Sequence, residues 1–164
     1  MEPFTVESTI SRPREEVFEY LADIANHAEF SDHYRSDWHL TREDSYGTGA
    51  GARFRLTQPL TRFNWADLSF MEVQPPFRIV ERGRGGKYNR IRMLGAYTLS
   101  PGPAGTTRVE YTFETVPVYP SDHLMEALGG ARWMRRNTKK AMRRLRSILE
   151  EDRDRGRRAT VAGR

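Results

Sequence analysis

Arg108-Val109-Glu110-Tyr111-Thr112-Phe113-Glu114, together with the stretch from Pro120 to Leu149 that follows it, decides the fold of this chain. In the first segment Val109, Tyr111 and Phe113 alternate with charged or hydroxylated neighbours, the period of two that a strand with one buried face imposes. Pro120-Ser121-Asp122 then opens a helical pattern. Leu124, Leu128, Ala131, Met134, Thr138, Ala141, Leu145, Ile148 and Leu149 recur on one stripe over about seven turns. A helix with so long an apolar stripe must lie on a sheet. Its outer face carries Arg135, Arg136, Lys139, Lys140, Arg143 and Arg144, and no apolar period continues past Asp152. Residues 1–152 are therefore expected to form one domain, and 153–164 a disordered basic tail.

Working back from the last strand, breakers at Gly47-Thr48-Gly49-Ala50-Gly51, Pro59, Pro75-Pro76, Gly83-Arg84-Gly85-Gly86 and Pro101-Gly102-Pro103 mark turns. Six strands fit between them, near 36–44, 51–58, 62–74, 77–83, 88–99 and 106–116. Connections this short imply an antiparallel sheet, not βαβ crossovers. At the N-terminus Phe4, Val6, Ser8 and Ile10 alternate with polar residues, giving one more strand over 3–10. Pro13 and the Glu15-Glu16 pair suit the first turn of a helix whose apolar positions are Val17, Tyr20, Leu21 and Ile24. A second short helix is expected over 28–34. The class is α+β: seven antiparallel strands, two short helices after the first strand, and one long helix at the end.

A chain of 164 residues is long enough to bury a core without a staple, and the absence of cysteine removes disulfides, thiolate metal sites and cysteine nucleophiles together. Nothing near the start reads as a signal peptide and no apolar run is long enough to span a bilayer, so a cytoplasmic location is expected. The net charge of +5 divides unevenly, +9 over residues 130–164 against −4 over residues 1–129. The basic excess lies on one helix and its tail, and its outer face has no interleaved aromatics, which argues against nucleic acid as a partner. The sequence also discourages several specific sites. Gly47-Thr48-Gly49-Ala50-Gly51 precedes a strand and so offers phosphates no helix N-terminus. Gly86-Lys87 has Glu81 where a phosphate-binding loop needs glycine. His27, His33 and His39 fall on different elements, and no metal site is expected from them.

The order strand, two helices, six strands, long helix resembles the START-like helix-grip fold. The likeness to the SRPBCC superfamily of polyketide cyclase/dehydrase and lipid-transport proteins rests on several segments. These are Arg12-Pro13-Arg14-Glu15-Glu16-Val17-Phe18, Val73-Gln74-Pro75-Pro76-Phe77-Arg78-Ile79-Val80, Gly95-Ala96-Tyr97-Thr98-Leu99, Gly105-Thr106-Thr107-Arg108-Val109-Glu110-Tyr111, and 142–150 in the last helix. Phe30-Ser31-Asp32-His33-Tyr34 and Phe63-Asn64-Trp65-Ala66-Asp67-Leu68-Ser69 look like their counterparts in bacterial aromatase/cyclases. The chain departs from that pattern at Asp67, where a second aromatic is expected, and at Met71, where an arginine is.

The resemblance implies a cavity for a hydrophobic small molecule, here lined by Trp65, Ser69, Met71, Met93, Tyr97, Tyr111 and Phe113, with Tyr34 near the mouth. If the cavity is catalytic, the family implies cyclisation or dehydration of a poly-β-ketone without a cofactor. Asp67, raised in pKa by an apolar setting, or Tyr97 is then the group that moves a proton. Against this stand two plainer readings: Asp67 paired with Arg53 or Arg55, and the tyrosines as core residues. A non-catalytic carrier of a lipid or isoprenoid quinone is the alternative function. The basic helix face is either solvated or a dock for an acidic partner, an acyl carrier protein or an anionic membrane surface. Gly129-Gly130, at about 1 kcal/mol each against alanine, mark a kink or a close approach in the last helix.

Overall fold

The computed structural model of the chain describes residues 1–59 and 64–162. Strand β1 (Phe4–Ile10) leads into helix α1 (Arg14–Ala22), a 3-10 turn (Ile24–Asn26) and helix α2 (His27–Ser31). Six strands follow: β2 (Arg35–Leu40), β3 (Gly51–Leu56), β4 (Trp65–Gln74), β5 (Arg78–Gly85), β6 (Ile91–Pro101) and β7 (Thr107–Pro117). The chain then forms α3 (Pro120–Met125), a π-type turn (Glu126–Gly130) and α4 (Ala131–Glu151). The strands make one antiparallel sheet in the order β1-β7-β6-β5-β4-β3-β2. Each hairpin pairs a strand with its predecessor, and β1 closes onto β7 with Val6 opposite Tyr111. The curved sheet and the long C-terminal helix make the helix-grip fold.

Alternation fixes which face of each strand is buried. Phe4, Val6 and Ile10 of β1, Val109, Tyr111 and Phe113 of β7, and Met93, Tyr97 and Leu99 of β6 all point inward. Helix α4 closes the same face with Met134, Thr138, Ala141, Met142, Leu145 and Ile148, packing on β1 and α2. Its outward side leaves Arg132, Arg136, Lys139, Lys140 and Arg143 exposed. No helix is long and apolar enough to cross a membrane among the described residues.

Two expectations change at this level. The helical stripe from Leu124 to Leu149 is not continuous, because Gly129 adopts φ +129°, outside the range of a helix and rarely open to residues with a side chain. The turn it makes rotates the preceding segment, so Leu124 and Leu128 are exposed, not buried. The tail is not disordered over 153–162. Gly156 N–H donates to Glu29 O at 2.8 Å, Ala159 N–H to Ala25 O at 3.0 Å, and Leu40 N–H to Thr160 O at 3.0 Å. Arg155 pairs with Glu29 and Arg158 with Asp23. The tail therefore crosses the 3-10 turn and α2 and covers the open edge of β2, a position where strands commonly need cover. Its partners are acidic groups and carbonyls, which leave no apolar period to read.

Candidate ligand-binding site

The register of the central strands lays inward residues out in rows across the sheet. One row runs Leu68, Gly83, Met93, Thr115; the next, toward the sheet's open end, runs Ala66, Gly85, Ile91, Pro117. Small residues in these rows, Ala66, Gly83 and Gly85, keep side chains off the floor. The result is a cavity of about 390 Å³ between the ends of β3, β5 and β6 and the segment 122–134. That volume falls within the range of small-molecule pockets, about 300–1,000 Å³. Its apolar lining includes Leu56, Ile91 and four of the six methionines, Met1, Met93, Met125 and Met134. Thioether side chains adapt to irregular shapes, so such a wall can fit more than one ligand outline. Glu126 and Gly130 of the π-type turn contribute to the cavity lining. In the same lining Arg90 Nε pairs with Asp122 at 2.7 Å.

One row deeper than Met93 lies a buried polar cluster. Glu81 of β5, fully buried, faces Gly95 of β6. Its side chain lies across that glycine: a Cβ on Gly95 would come within 2.6 Å of Glu81 Cγ and 2.8 Å of Cδ. Tyr111 Oη donates to Glu81 Oε1, while Oε2 has no hydrogen-bond partner. Tyr97 stacks on Tyr111 with ring centroids 4.3 Å apart. The guanidinium of Arg35, also buried, lies 5.1 Å from the centre of the Tyr34 ring and 4.9 Å from that of Phe54, and its Nε has no partner.

Burial raises the Glu81 carboxyl above its ordinary pKa, with the Arg35 charge and the Tyr111 hydrogen bond acting in the other direction. Burial works against the Arg35 charge, but Tyr34, Tyr111 and Glu81 outweigh it and keep the guanidinium protonated. Burial, then Glu81, pushes the Tyr97 and Tyr111 phenols well above their ordinary value. His27, packed against Phe30, Phe70 and Tyr97, donates through Nε2 to Leu21 O at 2.9 Å. Its Nδ1 has no partner, and burial brings its pKa down to about 4.

The expected site residues divide between the two faces. Trp65, Asp67, Ser69 and Met71 point outward, with Trp65 and Met71 among the most exposed apolar side chains. The inward residues of β4 are Ala66, Leu68 and Phe70. Trp65 and Met71 suggest the opposite phase, but single exposed apolar side chains are common on protein surfaces. Trp65 is covered there by Arg55, 5.8 Å from its ring, and by His39. Asp67 is consequently no cavity carboxylate: Arg53 Nε binds its Oδ1 at 2.6 Å on the outer face. Phe63 lies outside the described residues.

Met93, Tyr97, Tyr111 and Phe113 do point inward, and of these Met93 lines the cavity. Tyr97 and Tyr111 belong to the deeper cluster, and Phe113 packs edge-on against Phe4. Tyr34 is not at the mouth; it is buried against Trp133, ring centroids 6.0 Å apart, and beside Thr138. His33 accepts from Arg144 at Nδ1, 3.1 Å away, and its Nε2 lies 3.3 Å from Asn137 O, which ties it to α4. Sequence reasoning missed Glu81 and Arg35. Glu81 was discoverable, because Ile79, Glu81, Gly83 and Gly85 share one phase of β5, but the glycines read as a turn.

A seven-stranded sheet gripping a helix around a largely apolar cavity defines a hydrophobic-ligand-binding fold. Residues 1–150 match the family described as polyketide cyclase / dehydrase and lipid transport, and the chain belongs to that family. No protein of curated function shows significant sequence similarity to it. Among solved structures, norcoclaurine synthase from Thalictrum flavum superposes with a TM-score of 0.67 at 12% identity, covering 92% of this chain and 94% of the enzyme. The ginseng major latex-like protein 151 from Panax ginseng gives 0.63 at 8% identity, covering 90% of this chain and 97% of that one. A Rhizobium loti protein gives 0.62 at 21% identity, covering 90% and 96%. At these identities the likeness is one of fold.

Proposed function

We propose that the protein binds and carries a hydrophobic small molecule in the cavity between the sheet and the segment 122–134. The observation that carries this reading is the composition of that cavity's wall, where four methionines, Leu56 and Ile91 supply most of the surface around a space of about 390 Å³, with polar groups such as Lys87, Arg90, Asp122 and Glu126 also in its lining. Burying apolar ligand surface there contributes roughly 25 cal/mol per Å² before the costs of association. An elongated or polycyclic lipid, such as an isoprenoid quinone, has the required character.

The family also contains cyclases and dehydrases, and a poly-β-ketone is the second reading of the ligand. Catalysis by Asp67 is no part of it, since that carboxylate lies on the outer face in an ion pair. Tyr97 is the remaining candidate among the groups singled out in the sequence, acting from the deeper cluster. The exposed cations Arg132, Arg136, Lys139, Lys140 and Arg143 support docking of an acidic partner, an acyl carrier protein for a polyketide or an anionic membrane for a lipid.

Native mass spectrometry of the purified protein, followed by extraction and identification of what it retains, tests the carrier reading. A retained lipid or quinone is the expected result. An empty protein that turns over a poly-β-ketone analogue would replace carriage with cyclisation.

A further inference from the structure

Two side chains, Met93 of β6 and Leu68 of β4, cover the floor between the cavity and Glu81, and a Cβ on Gly83 would come 3.2 Å from Leu68 Cδ1. Along β5 the inward positions from the cavity inward are Gly85, Gly83 and Glu81; along β6 they are Ile91, Met93 and Gly95. Only Met93 stands in the intermediate row of these two strands. Its side chain lies over the glycines, for a Cβ on Gly85 would come 2.6 Å from Met93 Cε and one on Gly83 3.4 Å from Met93 Cβ. Glu81 is two residues beyond Gly83, about 7 Å along the strand. A thioether chain has three rotatable bonds and changes rotamer readily. Swinging Met93 aside, with a rotamer shift of the Leu68 methyl beside Gly83, therefore extends the cavity toward the Glu81 carboxyl.

At the end of that path one oxygen is unmatched. Glu81 Oε1 accepts from Tyr111, while Oε2 is buried without a partner. A buried polar atom left unpaired is costly, and a ligand that pairs with it recovers that cost. We infer that Glu81 Oε2 is the polar end of the ligand site, reached past Met93, and that it hydrogen-bonds the carbonyl oxygen of an otherwise apolar ketone or ester. The inference rests on the cavity being the ligand site. Burial raises the Glu81 pKa, which favours the protonated carboxyl that such a bond requires as its donor. A ligand hydrocarbon fills the methionine-lined part, and its carbonyl occupies the inner row.

The test is calorimetric titration of the full-length protein with 1-acetylnaphthalene and with 1-ethylnaphthalene, its counterpart without the carbonyl. The wild type is expected to bind the ketone at least tenfold more tightly. Glu81→Leu should abolish that preference while still binding 1-ethylnaphthalene, and Glu81→Gln, which retains an N–H donor, should keep part of it. The infrared band of a carbon-13-labelled carbonyl should move to lower wavenumber in the wild type relative to its position in hexane. Equal binding of both probes, or a preference that survives in Glu81→Leu, overturns the inference and leaves the cavity reading intact. Tighter binding of 1-naphthoic acid than of the ketone overturns it in favour of Arg35 as the recognition group. Binding of no probe removes the cavity reading, and the inference with it. Should Glu81→Leu fail to fold, the infrared band still decides, since a carbonyl absorbing as it does in hexane contradicts a hydrogen bond from Glu81.

Discussion

Lowering the pH should destabilise this protein through His27 before its surface carboxylates matter, and the size of the effect follows from the residue's surroundings. The imidazole is fully buried among Phe30, Phe70 and Tyr97, and only Nε2 has a partner, the carbonyl of Leu21. Burial brings its pKa from the ordinary 6.5 down to about 4. Between those values the unfolded chain takes up a proton that the folded chain refuses, so stability falls as pH falls through that window. At about 1.4 kcal/mol per pH unit, the full interval corresponds to ~3 kcal/mol. Glu81 acts in the opposite sense, since its raised pKa lets the folded state keep a proton that the unfolded state releases above 4.5. Comparison with His27→Gln, which retains a donor for Leu21 O, isolates the histidine. Urea unfolding followed by tryptophan fluorescence at pH 7, 6, 5 and 4 should show the wild type losing ~3 kcal/mol relative to the variant. Parallel pH profiles for the two proteins would refute the reasoning.

Asp67→Asn should leave probe binding unchanged and cost less than about 1 kcal/mol in urea unfolding, because its pair with Arg53 is partly exposed to water. Gly95→Ala should destabilise by about 1–3 kcal/mol in the same assay, since the added methyl meets the Glu81 side chain in a closed interior. Removal of residues 153–164 should expose the edge of β2. Hydrogen exchange should then show faster loss of protection at the Leu40 amide, which donates to Thr160 O in the intact chain, and unchanged protection would contradict the docked tail.

The architecture was legible because its signals were local and periodic. Val109, Tyr111 and Phe113 alternate cleanly, α4 presents an uninterrupted stripe after Gly130, and every hairpin is marked by glycine or proline. The site was less so, for reasons visible in particular residues. On β4 both phases carry large apolar groups, Trp65 and Met71 on one, Leu68 and Phe70 on the other. Which of them faces the helix is decided by register with Gly83 and Gly85, information absent from the strand itself. Those same glycines looked like a turn, and concealed that β5 continues as the cavity floor. The buried cluster that holds Glu81 and Arg35 brings together residues 46 positions apart, without a motif. The tail binds through backbone carbonyls and scattered acids, which no composition reveals.

The most direct test of a ligand cavity uses the methionines themselves. Met1, Met93, Met125 and Met134 line it, whereas Met71 is on the outer face of the sheet and Met142 is buried on α4 outside the cavity lining. With carbon-13-labelled methionine methyls, titration with naphthalene should shift the four cavity resonances saturably and leave those of Met71 and Met142 in place. Saturable shifts centred on Met71, or no saturable shift at any of the four, would contradict the account.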